Sequence, residues 1–101
     1  MSISQEELNK LRKLYTLSHP ARASIVKYLK RERKAYISQI ARALGLSERL
    51  VSFHLSMLAG DGFVKSEYGL SNNPNPSRVV RYYELTDQVN EVLEQFIEEF
   101  K

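Results

Sequence analysis

The chain has 101 residues, a length that fits one domain with a thin core, and its 43% hydrophobic and 27% charged composition excludes disorder along the whole chain as the leading interpretation. It has no cysteine, which excludes disulfides, thiolate metal sites and a cysteine nucleophile together. No stretch approaches the roughly 18 apolar residues of a membrane span, and the N-terminus lacks the basic start and apolar run of a signal peptide. We therefore expect a cytoplasmic protein.

The net charge of +3 is unevenly distributed. Residues 1–85 carry 14 Lys and Arg against 7 Asp and Glu, whereas residues 86–101 carry 1 against 5. A basic body indicates a polyanionic partner, although the charge alone fits a domain with a lopsided surface about equally well.

The first two helices are indicated by their N-terminal residues. Ser4 is expected to cap a helix with acids in its first turn, in which Leu8 and Leu11 recur at helical spacing. Pro20 suits the first turn of a second helix, because its missing N–H would be unpaired there. Residues 35–37 are then expected to be extended.

A helix, a sharp turn and another helix are predicted next. Ser38 is expected to cap the third helix, and Gly45 to end it in the left-handed conformation. Ser47 is expected to cap a fourth helix that runs to about Asp61, with Leu46 filling the angle between the two. This spacing is that of a helix-turn-helix, and the free amides at the start of the fourth helix favour phosphate.

The C-terminal part is predicted as a hairpin followed by a helix. Residues 63–68 and 78–85 are rich in aromatic and β-branched residues, as strands are, and residues 69–77 between them are too rich in Pro, Asn and Gly for regular structure. Thr86 is expected to cap the last helix. The predicted fold is mostly α with a small β-hairpin, a winged helix-turn-helix in which residues 1–101 form a single domain.

The sequence resembles the ArsR-type winged helix-turn-helix transcriptional regulators over roughly residues 15–90. The segments that carry the resemblance are LSHPAR at 17–22, ISQIARALGLS at 37–47, VSFHLSML at 51–58, GFV at 62–64 and YYELT at 82–86. The resemblance implies a homodimer built on the first and last helices. It also implies a recognition helix in the major groove of DNA and a hairpin wing that touches the backbone or the minor groove.

The chain departs from the metal sensors of that family. Those proteins carry a Cys-containing motif in the third helix, or His and acidic ligands in the last helix. Here the third helix reads SQIAR, and the last helix has five acids but no His. No metal and no cofactor are therefore predicted. No carboxylate pair lies beside a Ser-His pair or a Gly-rich loop, so an enzyme is not expected.

The fourth helix divides into two faces at 100° per residue. Val51, His54, Leu55 and Leu58 are expected to face the body, with His54 in a structural role. The opposite face would read base edges, with Arg49 on guanine. Phe53 on that face has two interpretations, contact with a thymine methyl group or packing against Leu50 and Met57. The residues predicted to contact DNA are Gln39, Ser47, Arg49, Ser52, Phe53, Ser56, Lys65, Arg78 and Arg81.

Two further interpretations concern histidine and the hairpin. His19 precedes Pro20 at a helix start, where a cap or an exposed side chain is expected. Arg78 and Arg81 are three residues apart on a strand, so they are expected on opposite faces, with only one of them pointing at DNA.

The first and last helices offer more apolar surface than one small subunit can cover. We therefore predict a symmetric dimer with these helices at its centre. The predicted interface residues are Leu8, Leu11, Tyr15, Val89, Leu93, Phe96 and Phe100.

The function predicted from the sequence is a homodimeric, sequence-specific double-stranded DNA-binding transcriptional regulator that acts as a repressor. The alternative is a winged helix that serves as a protein-interaction module in a larger assembly. Basic charge on the recognition face favours the first, whereas exposed Phe53 and Met57 favour the second.

Overall fold

The structure, a computed structural model, describes residues 3–71 and 78–99, with side chains as far as residue 95. These residues form five helices and three strands. In chain order they are α1 (Gln5–Ser18), α2 (Pro20–Glu32), β1 (Lys34–Ala35), α3 (Ile37–Leu44), α4 (Glu48–Gly60), β2 (Val64–Leu70), β3 (Val79–Leu85) and α5 (Gln88–Glu99). Residues 72–77 of the predicted loop lie outside the description.

Side-chain caps begin the first two helices. The Ser4 hydroxyl accepts a hydrogen bond from the Glu7 amide at 3.1 Å. His19 caps α2, because its Nδ1 accepts a hydrogen bond from the Ala21 amide at 3.1 Å, and Pro20 stands at the first helical position. Each cap satisfies an amide that has no partner within its helix. The capping roles predicted for Ser4 and His19 are confirmed.

The start of α3 corrects the sequence prediction, since Ser38 is not its cap. The helix begins at Ile37, with Tyr36 as the N-cap residue. The Gln39 Oε1 atom accepts a hydrogen bond from the Tyr36 amide at 3.1 Å. The longer Gln39 side chain reaches back over the first turn, which the short Ser38 side chain inside that turn does not do.

The turn between α3 and α4 is as predicted. Gly45 ends α3 with φ +68°, a backbone conformation that is costly for residues with a Cβ atom. The Ser47 hydroxyl accepts a hydrogen bond from the Leu50 amide at 3.1 Å and so caps α4. The local interactions of Gly45 and Ser47 thus define the turn, and the core packing of both helices holds them on either side of it.

The hairpin is part of a three-stranded antiparallel sheet in the order β1-β3-β2. In β2 and β3, Ser66 lies opposite Tyr83 and Tyr68 opposite Arg81. The short strand β1 pairs with the end of β3. The sequence predicted two strands and an extended segment at residues 35–37, but β1 ends at Ala35 and Ile37 already belongs to α3.

The core holds α4 firmly by its inner face. Val51, Leu55 and Leu58 are completely buried, together with Ile25 of α2 and Phe63. Burial of side chains of this size stabilises the fold by about 1.5–3 kcal/mol each. The outer face of α4 is left exposed by this packing.

Hydrogen bonds fix the helices that flank α4. The Thr16 hydroxyl of α1 donates to Asp61 Oδ2 at the end of α4, at 2.5 Å. The Thr86 hydroxyl donates to the Gly62 carbonyl at 2.5 Å and accepts from the Gln88 amide at 3.3 Å. The helix α5 begins at Gln88, and the Asp87 carbonyl accepts from the Glu91 amide at 3.2 Å. Asp87 therefore precedes the helix directly, and the predicted cap, Thr86, lies one residue before it, although its hydroxyl still binds an amide of the first turn. None of the helices in the described part of the chain is long and apolar enough to cross a membrane.

Candidate nucleic-acid interface

The two faces of α4 are confirmed. Val51, Leu55 and Leu58 are buried, and His54 is only 4% exposed. The opposite face is exposed along its length and carries the residues predicted to meet DNA, Arg49, Ser52, Phe53 and Ser56. A helix fixed by one face and exposed by the other can enter a major groove without loss of its packing.

The N-terminal end of α4 contains a notch, which we call the α4 notch. It has a volume of about 360 Å³ and is lined by Ser47, Arg49, Leu50 and Phe53. Phe53 remains 56% exposed, although Leu50 and Met57 lie near it on the helix. Packing against those two side chains therefore leaves more than half of the Phe53 side chain exposed.

Three aromatic rings form a row that starts at the notch, passes through the buried His54 and ends at the exposed His19. The Phe53 ring meets His54 at a centroid distance of 5.2 Å with the planes 69° apart. His54 in turn lies 4.6 Å from the His19 ring. Burial lowers the pKa of His54 below its usual value, and the nearby His19 and Arg22 lower it further. His54 is thus buried in a structural role, as predicted, and its lowered pKa favours the neutral form.

A second concave surface lies between the start of α3 and the start of β3, and we call it the α3–β3 groove. Its volume is about 380 Å³. Arg78 and Arg81 both contribute to its lining, although the strand register keeps them on opposite faces of the hairpin, as expected. Which of the two points at DNA stays a prediction. The groove runs along consecutive residues at the start of β3, so residues from both faces of the strand are part of its lining. It is lined by Tyr36, Ile37, Ser38, Glu48, Arg78, Val79, Val80 and Arg81.

The α3–β3 groove has the chemistry of a phosphate site. The first turn of α3 and its helix dipole favour an anion, and Arg78 and Arg81 are two basic residues in the lining. Glu48 also lines the groove. Its negative charge lies in the first turn of α4, where it stabilises that helix through the helix dipole.

The remaining predicted cations differ in their surroundings. Arg81 Nε donates to the Ser66 hydroxyl at 2.8 Å, and its guanidinium carbon lies 5.4 Å from the centre of the Tyr83 ring. Lys65 Nζ lies 3.6 Å from Glu84 Oε1. Arg81 is therefore held in place by neutral groups, whereas part of the Lys65 charge is balanced.

Gln39 is partly buried, and its Oε1 atom is used in the α3 cap. A phosphate contact from this side chain would therefore come from its amide nitrogen.

The predicted dimer residues fall into two groups. Leu8, Leu11 and Leu93 are exposed, and Tyr15 is 74% exposed. Val89 differs from the expectation, because it is 3% exposed and packs in the core of its own subunit, where α5 turns it inward. Phe100 and the side chain of Phe96 lie outside the described residues.

One apolar surface was not predicted from the sequence. Tyr68, Leu70 and Val79 are all strongly exposed, and the register places them on one face of the hairpin. Apolar residues at every second position of the strand are the signal that could have indicated it.

No three His, Asp or Glu side chains within residues 3–71 and 78–95 are grouped closely enough to hold a metal ion.

A capped helix pair with an exposed second helix, followed by a hairpin that carries arginines, defines a winged helix-turn-helix, the fold of a large class of DNA-binding transcriptional regulators. Residues 19–66 match the model of a family described as "Bacterial regulatory protein, arsR family". The resemblance to the ArsR-type regulators is thereby confirmed, and the chain is a DNA-binding transcriptional regulator of this winged-helix type, a class that is not enzymatic.

Solved structures agree with this assignment. A transcriptional regulator homologue from Pyrococcus horikoshii OT3 is 27% identical, with a TM-score of 0.64 over 96% of this chain and 99% of that one. The transcriptional repressor PagR of Bacillus anthracis is 23% identical, with a TM-score of 0.67 over 88% and 93% of the two chains. NolR from Sinorhizobium fredii is 23% identical, with a TM-score of 0.66 over 99% and 96%. The last two likenesses show the fold alone. No curated protein matches the sequence.

Proposed function

We propose that the chain is a homodimeric repressor that binds a specific double-stranded DNA sequence. The observation that carries the proposal is the exposed polar face of α4, with Arg49 near its start, beside the α3–β3 groove and its two arginines. One surface thus offers donors for base edges and the other offers charge for the backbone.

Base reading is assigned to the outer face of α4. Arg49 has the forked donor geometry that matches guanine O6 and N7. The hydroxyls of Ser52 and Ser56 bond either bases or phosphates. The Ser47 hydroxyl occupies the Leu50 amide, and the amides of the first turn of α4 that it leaves free favour a phosphate at the edge of the groove.

Backbone contact is assigned to the groove and the wing. Arg78 and Arg81 would hold one phosphate region together with the first turn of α3, which includes Gln39. Lys65 lies at the base of the hairpin, opposite Glu84, and contributes less. The proposed function therefore separates residues that set affinity from residues that set sequence preference.

The homodimer is supported by the exposed apolar side chains of α1 and α5. Leu8, Leu11, Tyr15 and Leu93 are exposed on these two helices, which contact each other within the subunit. A twofold pairing would bury them and place two copies of α4 in half-sites about one turn of DNA apart. We propose that 1–101 acts as a single domain in this dimer.

A second candidate function is a protein-interaction module, and exposed apolar side chains favour it. Phe53 and Met57 on α4, together with the apolar face of the hairpin, present a surface of the type that proteins bind. Salt dependence separates the two candidates, since phosphate contacts release counterions and contacts between apolar side chains do not.

The test is a titration of a duplex selected from a random pool by the protein, repeated at several salt concentrations. Two groove arginines in each of two subunits predict about four phosphate contacts. The logarithm of the binding constant should then fall against the logarithm of the salt concentration with a slope of about −3.5. Failure to select any preferred sequence would contradict the proposal. A reporter gene that carries the selected site tests repression, and increased transcription would contradict that part alone.

A further inference from the structure

Phe53 is an unusual residue for the outer face of a recognition helix. Its side chain is 56% exposed, and it shares the outer part of α4 with the polar Arg49 and Ser52 as well as with the exposed Leu50 and Met57. A large aromatic ring that stays exposed contributes little to the stability of the folded chain, and an apolar contact in the bound state would gain the free energy of its burial.

The Phe53 ring has a contact with another ring of the same subunit. His54 meets it edge to face at 5.2 Å, and His54 is itself buried against His19. Leu50 lines the same α4 notch as Phe53. A ring with such a contact loses less conformational freedom on binding than one without it, which favours a small and well-placed contact.

The notch combines an apolar wall with a guanidinium group. Leu50 and Phe53 supply the apolar wall, and Arg49 lines the same notch. In the major groove, thymine is the base that presents a methyl group, and guanine presents the two acceptors that arginine binds. A notch lined by both kinds of side chain therefore matches a thymine next to a guanine.

We infer that Phe53, with Leu50, binds the 5-methyl group of a thymine adjacent to the guanine contacted by Arg49, and that this contact sets part of the sequence preference. The inference rests on the proposed function, which places α4 in the major groove. It goes further because it names the base that each half-site must contain and the atom group that is read. We favour DNA over an apolar protein surface as the occupant of the notch. An apolar surface would remove water from the Arg49 guanidinium without offering it a hydrogen-bond acceptor, which is costly.

The test removes only the methyl group. In a duplex selected from a random pool by the wild-type protein, each thymine is replaced in turn by deoxyuridine, and the dissociation constant is measured. We expect one position in each half-site, next to guanine, at which the replacement weakens binding about fourfold. The Phe53→Ala variant should bind the thymine and deoxyuridine duplexes equally at that position. Because the Phe53 side chain is exposed, its removal should leave the melting temperature close to that of the wild type.

Met57→Ala is the matched control, since Met57 is an exposed apolar residue one turn further along α4. It should keep the fourfold difference. The inference is overturned if no deoxyuridine replacement affects the wild type, or if Phe53→Ala keeps the same sensitivity. In either case salt-dependent and sequence-specific binding would persist and the proposed function would stand. If the wild type selects no preferred duplex, the proposed function fails and the inference fails with it.

Discussion

His54 lies against His19, with their ring centroids 4.6 Å apart, beneath the helix face that we assign to base reading. Arg22 is the third basic group there, and it is only 5% exposed. Within the described residues, neither His54 Nδ1 nor Arg22 Nε has a hydrogen-bond partner. A proton on His54 would therefore add a buried positive charge beside two other basic groups, which explains why its pKa is lowered.

The first prediction is a loss of stability in mild acid. The unfolded chain takes up a proton at His54 near its usual pKa of about 6.5, whereas the folded chain does so only at lower pH. Stability from this residue is therefore complete above about pH 6.5 and is lost as the pH falls towards the lowered pKa. Urea unfolding at pH 7.5, 6.5 and 5.5 should show a falling free energy. His54→Gln should remove most of this decline, and an equal decline in both proteins would contradict the prediction.

Much of α4 could be predicted because its signals are local. The 100° periodicity separates Val51 and Leu55 from Arg49 and Ser52, and the structure buries the first pair and exposes the second. Gly45 and Ser47 mark the turn by backbone freedom and capping, which act within a few residues. The two faces of α4 and its Ser47 cap therefore follow from the sequence without knowledge of the rest of the fold.

Features that depend on distant pairing were harder to predict. The strand β1 has two residues, too few for a pattern, and exists because β3 pairs with it. Arg78 and Arg81 share a groove that α3 completes from more than 30 residues away in the chain. The prediction for Val89 is wrong. The spacing of apolar residues along α5 shows which side of the helix is apolar, but it does not show which of those residues pack in the core of the same subunit.

The second prediction concerns the dimer. Leu11 is exposed on α1, and its burial would stabilise association by about 1.5–3 kcal/mol, counted twice in a symmetric dimer. Leu11→Asp should therefore weaken the dimer by about a hundredfold or more in sedimentation at micromolar concentration. Asn9→Asp adds the same charge on the opposite side of α1 and should leave the dimer intact. A monomeric wild type at that concentration would contradict the proposed dimer.

The third prediction separates two cations of the hairpin. Arg81 is held by Ser66 and the Tyr83 ring and lines the α3–β3 groove, whereas Lys65 is paired with Glu84. Arg81→Ala should weaken binding to all duplexes alike and lower the salt slope by about one unit for each phosphate that is no longer neutralised. Lys65→Ala should have a smaller effect on both quantities. The assignment of the groove is wrong if Lys65→Ala weakens binding as much as Arg81→Ala or more.

The last prediction concerns base reading by Arg49, which is exposed in the second position of α4 and lines the α4 notch. The N-terminal end of a recognition helix is the part that approaches base edges. A bidentate contact between arginine and guanine discriminates against other bases by about 1–3 kcal/mol, which corresponds to about 5–150-fold in affinity. Arg49→Ala should therefore weaken binding to the selected duplex by a factor in this range and leave binding to a scrambled duplex little changed.

The measurement that decides this prediction compares Arg49→Ala and Arg81→Ala on selected and scrambled duplexes at several salt concentrations. Removal of a base-reading side chain reduces the ratio of the two affinities, whereas removal of a phosphate-binding side chain leaves the ratio intact and lowers the salt slope. Arg49→Ala should also flatten the preference at a single base position, because one side chain reads one base pair. If Arg49→Ala weakens binding by the same factor on both duplexes, Arg49 binds phosphate, and base reading must come from Ser52, Phe53 and Ser56.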